Sequence, residues 1–193
     1  MKAAMQIFRS ADHRHMPWKN GRGTTTEIAA FPPGAGLDEF EWRLSLARMD
    51  SDAPFSAFPG IVRTLAIFDG EGLRLEIAGG EPVILRPSSA PCRFAADQAA
   101  IGHLLDGPVS NLNIMTRGDL SHGMRRVRLC GDLELGVTGT ILVLCQAGNM
   151  QVRADGAEAR LAPLDCALIE EAQTLALKSE TACSAYLIEI FRV

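Results

Sequence analysis

The chain has 193 residues, of which 47% are hydrophobic and 22% are charged, and its formal net charge is −4. This length suits one domain, or two small fused units, with a sizeable core, and the composition is typical of a globular protein. The net negative charge excludes the strongly basic surface that attracts nucleic acids or anionic membranes, so we expect neither partner. A small anion would need a local group of cations.

The cysteines are odd in number, widely spaced and without a C-x-x-C motif, which indicates buried, reduced thiols and a cytoplasmic protein. Residues 1–16 contain no apolar core of signal-peptide length, and no run approaches the roughly 20 apolar residues of a membrane span. We therefore expect a cytoplasmic location without membrane association. The five cysteines are Cys92, Cys130, Cys145, Cys166 and Cys183.

Residues 17–28, P-W-K-N-G-R-G-T-T-T-E-I, combine more kinds of side chain than a plain surface turn needs. Trp18 offers a flat apolar face, and Lys19, Asn20 and Glu27 offer three kinds of polar group. The two glycines allow a tight turn and the close approach of a ligand. Two interpretations remain open at this point: a ligand-binding segment, or an N-terminal strand with a glycine bulge that Trp18 anchors.

Short segments of alternating or β-branched residues follow along the chain, separated by glycine-rich turns. Residues 42–47 alternate, residues 61–68 are richly apolar and stop at Asp69-Gly70, and residues 73–77 alternate up to Gly79-Gly80. Residues 97–105 are ambiguous between one helical turn and a strand. No long helical periodicity is present, so the sequence predicts an all-β sandwich or barrel.

Residues 64–94 and 140–168 share the same order of strand and turn signals at an offset of about 75 residues. This repeat predicts a duplicated β-barrel; two unrelated stretches of meander are the alternative. We expect an N-terminal barrel over residues 1–125 with the pocket, and a mainly structural barrel over 126–193, with strands open to exchange between them. The carboxylates of the second half, Asp165, Glu170 and Glu171, are expected to be solvated or strand-edge charges.

The histidines do not form a metal-binding pattern. His13 and His15 precede the first convincing strand, His103 and His122 are isolated, and no glutamate follows His15 at short spacing. A barrel metal site needs two histidines from one strand with a carboxylate and another histidine close by. There is also no G-x-S-x-G motif and no cysteine beside a histidine. We therefore expect no metal, no cofactor and no identifiable catalytic residue.

The remaining polar groups lie on strands. Arg43 and Ser45 share one face of their strand, and Arg63 is in phase with apolar neighbours. An arginine on a buried face needs an anionic partner, which would be Glu27 or a ligand. In residues 110–117, one face carries Asn111, Asn113 and Met115, so it could line a pocket with amide groups; satisfying loop backbone is the alternative.

Taken in order, these residues form motifs that resemble the HutD/Ves family. The resemblance covers about residues 16–117 and fades to a general β pattern afterwards. The matching motifs are P-W-K-N-G-x-G-x-T-x-E-I at 17–28, W-R-L-S-L-A at 42–47, P-F-S-A-F-P-G at 54–60, L-L-D-G-P at 104–108 and L-N-I-M-T-R at 112–117.

The resemblance implies a cupin-type double β-barrel, or bicupin, that binds an intermediate of histidine utilisation such as N-formylglutamate and restrains flux through the pathway. Three positions depart from the family pattern: Arg22 and Ala53 replace glycines, and Asn111 replaces an acidic residue. The ligand-binding residues that the resemblance implies are Trp18, Lys19, Asn20, Glu27, Arg43, Ser45, Ser56, Arg63, Asn113 and Arg117.

The sequence thus predicts a metal-free, small-molecule-binding protein whose partner is a small anionic metabolite, with a homodimer left open. Arg43, Arg63 and Lys19 would bind carboxylates, Asn20 and Asn113 would bind amide or formyl groups, and Trp18 would cover the pocket. Glu27 would orient an arginine or accept a ligand N–H. The alternative is a metal-independent cupin hydrolase or isomerase that uses Glu27 as general base on a small carboxylate.

Overall fold

The structure, a computed structural model, describes residues 4–18 and 21–193. Apart from one short 3-10 helix, Ser10–Asp12, the regular elements of the described chain are strands. In chain order they are β1 (Ala4–Phe8), β2 (Arg14–Pro17), β3 (Gly23–Phe31), β4 (Trp42–Met49), β5 (Ala53–Pro54), β6 (Ile61–Asp69), β7 (Leu73–Ile77), β8 (Val83–Leu85), β9 (Cys92–Ala95), β10 (Ala100–Leu104), β11 (Val109–Arg117), β12 (Leu120–Gly136), β13 (Thr140–Ala147), β14 (Met150–Ala154), β15 (Ala157–Leu161), β16 (Cys166–Glu170) and β17 (Thr174–Arg192).

The all-β class that the alternating pattern predicts is confirmed. The ambiguous residues 97–105 form a turn followed by β10, because Gln98 N donates to the carbonyl of Ala95 before the strand begins. The apolar segment that starts at Ile61 ends at Asp69, as the Asp-Gly signal indicates. Gly70 has a φ of +94°, and a Cβ there would lie 2.6 Å from the Pro108 carbonyl oxygen. Glycine is therefore required for this turn.

The chain divides into two compact units. The N-terminal unit contains residues 14–120, and the C-terminal unit contains residues 121–193 together with 4–13. The boundary expected after residue 125 falls inside β12, and β1 belongs to the C-terminal unit because it pairs with β16. No helix in the described ranges is both long and apolar enough to cross a membrane.

The N-terminal unit is built from two sheets. The six-stranded sheet has the order β2-β3-β4-β11-β6-β9, and the four-stranded sheet has the order β5-β10-β7-β8. Buried side chains of both sheets form one core cluster, which includes Leu65 and Ile67 from β6 and Leu73 and Leu75 from β7. Facing sheets that bury a shared apolar layer are the structural basis of a β-sandwich or barrel.

The C-terminal unit has a seven-stranded sheet in which the order is β1-β16-β13-β17-β14-β15 and β12 pairs with β17. Its core cluster includes Val143, Val152, Ile169, Leu177 and Leu187.

The two units share a pairing scheme. In the N-terminal unit β6 pairs with β9 and β11, while β7 pairs with β8 and β10. In the C-terminal unit β13 pairs with β16 and β17, while β14 pairs with β15 and β17. The long β17 thus occupies the places of both β10 and β11. Superposition of residues 64–94 on 140–168 remains the test of the predicted duplication.

Of the two alternatives for the C-terminal carboxylates, a solvated charge is wrong for Asp165, which directly precedes β16. Asp165 is buried, with 5% of its surface exposed, whereas Glu170 and Glu171 are exposed as expected. Its carboxylate accepts hydrogen bonds from the backbone N–H groups of Ser10 and Ala162 and from Arg9. Burial raises the pKa of Asp165, but the three hydrogen bonds lower it by a larger amount. The pKa of Asp165 therefore lies below the ordinary range.

Candidate functional site

The N-terminal unit contains a cavity of about 470 Å³ above its six-stranded sheet. Both apolar and polar side chains line it. The apolar ones are Met16, Pro17, Trp18, Leu37, Ala47, Pro54, Phe55, Phe58 and Met115, and the polar ones are Thr25, Arg43, Ser45, Ser56, Arg63 and Asn113. Six of the eight described ligand-binding candidates therefore meet at one cavity: Trp18, Arg43, Ser45, Ser56, Arg63 and Asn113.

Strand register explains why the charged residues meet. Met115 on β11 lies opposite Arg43 on β4 and opposite Arg63 on β6, so the two arginines flank it in one row across the sheet. The next row places Asn113 beside Ser45. Side chains two residues apart on a strand share a face, so both rows belong to the floor of the cavity.

Arg43 is held by Glu27. The Nε atom of Arg43 donates to Glu27 Oε2 at 2.6 Å, and the exposed fractions of the two side chains are 5% and 17%. A register shift in the pairing of β3 with β4, between Glu27 and Ala29, keeps Glu27 opposite Ser45 while Ala30 lies opposite Arg43. This β-bulge aims the carboxylate at Arg43. Glu27 itself is not among the lining residues.

Arg63 is buried without a carboxylate partner among the described residues. Only 3% of its surface is exposed, its Nη2 donates to the Ser56 carbonyl at 3.3 Å, and its Nε makes no hydrogen bond. The interpretation in which Arg63 pairs with Glu27 is therefore wrong, since Glu27 binds Arg43. Burial, with a smaller contribution from the positive charge of Arg43, lowers the pKa of Arg63 to about 10. The guanidinium thus remains charged at neutral pH.

Aromatic rings surround the Arg63 guanidinium. Its central carbon lies 5.5 Å from the ring centroids of Phe55 and Phe58 and 5.8 Å from that of Phe94. Such cation–π contacts stabilise a desolvated cation but do not neutralise its charge. Sequence reasoning missed this role for the phenylalanines, although the P-F-S-A-F-P motif contains two of them and Phe94 lies opposite Arg63 in the sheet.

Trp18 is fixed at the wall of the cavity. Its indole Nε1 donates to Thr25 Oγ at 2.8 Å, and its backbone N donates to the Gly23 carbonyl at 2.9 Å. A Cβ at Gly23 would lie 2.1 Å from the Arg48 carbonyl oxygen and 3.1 Å from the Trp18 ring, so no larger residue is accommodated. The candidates Lys19 and Asn20 lie outside the described residues.

Asn113 is buried with an unused acceptor. Its Nδ2 donates to both oxygens of Asn111, at 2.7 Å for Oδ1 and 3.3 Å for the carbonyl, while its own Oδ1 makes no hydrogen bond. The amide orientation follows from this pair of donor contacts. This acceptor has less than 1 Å² of exposed surface, so the cavity does not present it to a ligand in this conformation.

The other positions singled out from the sequence lie elsewhere. Arg117 does not line the cavity: its Nε donates to the Phe40 carbonyl at 3.1 Å, and its guanidinium lies over the Phe40 ring. Of the family departures, Arg22 is exposed and donates to the Asp52 carbonyl, and Ala53 is buried in the core cluster between the sheets.

His15 and His103 contact different side chains and do not meet at one site. His15 contacts Thr26 Oγ, and His103 lies between Asp52 at 3.0 Å and Glu76 at 3.6 Å. Within residues 4–18 and 21–193, no group of three or more histidine, cysteine, aspartate or glutamate side chains could hold a metal ion. The metal-free character of the protein remains a prediction.

Fold and cavity together define a class of protein: a cupin-like β-barrel with a cationic, aromatic-walled pocket. The fold also occurs in a cupin 2 conserved barrel domain protein from Leptotrichia buccalis, which is 15% identical and has a TM-score of 0.56 over 86% of this chain and 88% of that one. The cupin-like fold is thereby confirmed.

The HutD family model matches residues 10–187, so the chain belongs to the HutD family. It is 32% identical to an uncharacterised 21.2 kDa protein in the hutC 3′ region of Pseudomonas putida, over 86% of this chain and 87% of that protein. It is 38% identical to protein Ves of Citrobacter koseri over 60% of this chain and 61% of that protein. The family resemblance found in the motifs is thus confirmed.

Solved structures also match almost the whole chain. A conserved protein of unknown function from Pseudomonas aeruginosa PAO1 is 31% identical, with a TM-score of 0.90 over 97% of this chain and 98% of that one. HutD from Pseudomonas fluorescens SBW25, studied in a formate condition, is 29% identical, with a TM-score of 0.82 over 98% of this chain and all of that one.

Proposed function

We propose that this chain is a cytoplasmic, metal-free binding protein of histidine utilisation, which binds a small anionic pathway intermediate in the N-terminal cavity and thereby regulates the pathway. N-formylglutamate is the first candidate ligand. The observation that carries the proposal is the buried Arg63 guanidinium, which lines a cavity and has no carboxylate partner among the described residues.

Energetics favour a ligand role for Arg63 over a structural one. Burying an uncompensated cation opposes folding unless an anion completes the site. A ligand carboxylate supplies that anion and forms charge-assisted hydrogen bonds to the guanidinium. The phenylalanines and Trp18 provide apolar walls, as is usual for small-molecule sites.

Membership of the HutD family supports the pathway assignment, as does the relative whose name places it in a hutC region. The relatives' names specify no ligand. N-formylglutamate is the candidate that the family resemblance implies, and it offers carboxylates for Arg63 and an amide for Asn113.

A ligand screen tests the proposal directly. Protein purified without a histidine tag is heated with histidine, glutamate or N-formylglutamate, and the melting temperature is recorded. A ligand at 100 times its Kd stabilises the folded state by about 2.7 kcal/mol. We expect N-formylglutamate to raise the melting temperature and to be recovered unchanged. Turnover during incubation would instead favour the enzyme alternative, and the absence of any stabilisation would refute the proposed function.

A further inference from the structure

The C-terminal unit has a cavity of its own, of about 640 Å³, which we call the C-terminal groove. All of its lining residues belong to that unit, so it shares no residue with the N-terminal cavity. Its charged lining residues decide what it can bind. They are Arg9, Arg160, Asp165, Lys178 and Glu180.

Strand register brings two of these cations to opposite sides of the groove. Gln151 on β14 lies opposite Arg160 on β15 and opposite Lys178 on β17, so the three residues form one row across adjacent strands. The next residues in two of these strands, Val152 and Leu177, are buried in the core cluster, so the row faces outward. Neighbouring strands are about 4.8 Å apart, which separates the two cationic residues by about 10 Å at the backbone. Both long side chains can therefore reach one small anion above Gln151.

Neither cation of this row is neutralised by a close partner. Arg160 makes no ion pair within residues 4–18 and 21–193. Its neighbour Glu158 is bound by Arg153 Nε at 2.8 Å and interacts with Arg160 only at longer range. The Nζ atom of Lys178 lies 3.8 Å from Asp132 Oδ1, and the two side chains are 53% and 70% exposed. Because water screens such an exposed pair, the row presents two positive charges to an anion.

The third cation of the groove is already used by the fold. Arg9 Nη1 donates to Asp165 Oδ2 at 2.8 Å and to the backbone carbonyl of Arg160 at 2.9 Å. The buried Asp165 carboxylate neutralises Arg9. This contact fixes the backbone of Arg160 beside the groove without adding to the positive charge.

One carboxylate of the groove is unpaired as well. Glu180 is exposed, lines the groove and makes no ion pair in the part of the chain that the structure describes. It follows Lys178 by two residues on β17, about 7 Å further along the strand. This carboxylate repels a ligand that carries only negative charge, whereas it attracts a ligand that also carries an ammonium group.

From this arrangement we propose that the C-terminal groove is a second ligand site, which binds a small zwitterion. The carboxylate or phosphate of the zwitterion lies between Arg160 and Lys178, and its ammonium group lies against Glu180. The spacing of these side chains requires the two ligand charges to be several bonds apart, as in an ω-amino acid or a phosphorylated amine. The site is independent of the ligand proposed for the N-terminal cavity.

A set of small probes separates the elements of this recognition. γ-Aminobutyrate carries both charges, butyrate lacks the ammonium group, and butylamine lacks the carboxylate. NMR titrations of the isotope-labelled protein follow the backbone amide of Gln151, at constant ionic strength because salt screens exposed charges. We expect γ-aminobutyrate to bind at least about threefold more tightly than butyrate or butylamine. Phosphoethanolamine carries a phosphate instead of the carboxylate, and the tighter of the two zwitterions identifies the anionic group.

Variants of exposed residues, which disturb the fold little, locate the bound probe. Arg160→Gln should weaken γ-aminobutyrate binding at least about threefold. Arg128→Gln is the matched control, because it removes the same charge from an exposed position of the same unit outside the groove and should change the affinity by less than about 1.5-fold. Glu180→Gln should abolish the preference for γ-aminobutyrate over butyrate. The amide spectrum of each variant shows whether it is folded.

Several results would overturn the proposal. Equal wild-type affinities for butyrate and γ-aminobutyrate remove the zwitterion, and equal weakening by Arg160→Gln and Arg128→Gln shows a general charge effect instead of a site. The absence of any shift of the Gln151 amide removes the site altogether. Binding that is lost in Arg63→Met but kept in Arg160→Gln belongs to the N-terminal cavity, in which case the groove proposal fails while the proposed function stands.

Discussion

Replacing Arg63 by methionine should strongly weaken ligand binding without destabilising the unliganded protein. The pKa of about 10 for Arg63 corresponds to an unfavourable burial free energy of about 3 kcal/mol at neutral pH. The three aromatic contacts, each worth about 0.5–2 kcal/mol, and the Ser56 hydrogen bond offset part of that cost. We expect the free energy of unfolding of Arg63→Met to stay within about 1 kcal/mol of wild type, or to rise.

The affinity of Arg63→Met for the ligand should fall, although its stability does not. Losing the buried charge partner of a ligand carboxylate weakens binding by about 2–5 kcal/mol. Titration calorimetry with N-formylglutamate measures this change, and urea denaturation followed by circular dichroism measures stability. Arg43→Met is the matched control, because it leaves Glu27 unpaired and should lower the free energy of unfolding by about 2–3 kcal/mol. If Arg63→Met lowers the free energy of unfolding by more than about 2 kcal/mol, or leaves the ligand affinity unchanged, the reasoning is refuted.

Three further predictions test other parts of the structure. Gly23→Ala forces a Cβ against the Arg48 carbonyl oxygen and should destabilise by at least about 2 kcal/mol in urea denaturation, whereas Gly123→Ala, with open space around it, should be neutral. Asp165→Asn should cost about 2 kcal/mol at pH 7. Because the folded-state pKa of Asp165 is lowered, its contribution to the free energy of unfolding is present above the ordinary aspartate pKa and is lost as the pH falls through the folded-state pKa. The Asp165→Asn variant should therefore lose less stability than wild type between about pH 5 and 2. Parallel pH profiles of the two proteins would contradict this. Cys130 is exposed, while burial raises the pKa of Cys145 to about 12. A thiol reagent should therefore label Cys130 first, as followed by intact-mass measurements. Early labelling of Cys145 would show that this thiol is not buried.

The sequence contained enough information to predict the class of the fold and the direction of key side chains. Alternation over short segments predicted strands, and the phase of Arg63 with its apolar neighbours predicted that it points inward. The shared face of Asn113 and Met115 followed from the two-residue period of a strand. These inferences are local, because each depends on residues within one strand.

The pairing of charges could not be predicted, because it depends on register between strands. Whether Glu27 reaches Arg43 or Arg63 is decided by the bulge after Glu27, for which the sequence of β3 gives no distinctive signal. Similarly, the burial of Asp165 depends on Arg9 and Ser10, more than 150 residues away. Long-range pairing of this kind has no periodic signature in the chain.

The anchoring of Trp18 gives the molecule a built-in optical reporter. The chain has two tryptophans, and only Trp18 belongs to the cavity wall, where its ring is fixed against Thr25. Trp42 is buried and stacked on Phe31 with the ring planes 12° apart. A molecule that enters the cavity therefore replaces water beside one indole and leaves the other as a constant background. Intrinsic fluorescence of the unlabelled protein would follow occupancy in real time, so binding rates could be measured without a dye or a tag.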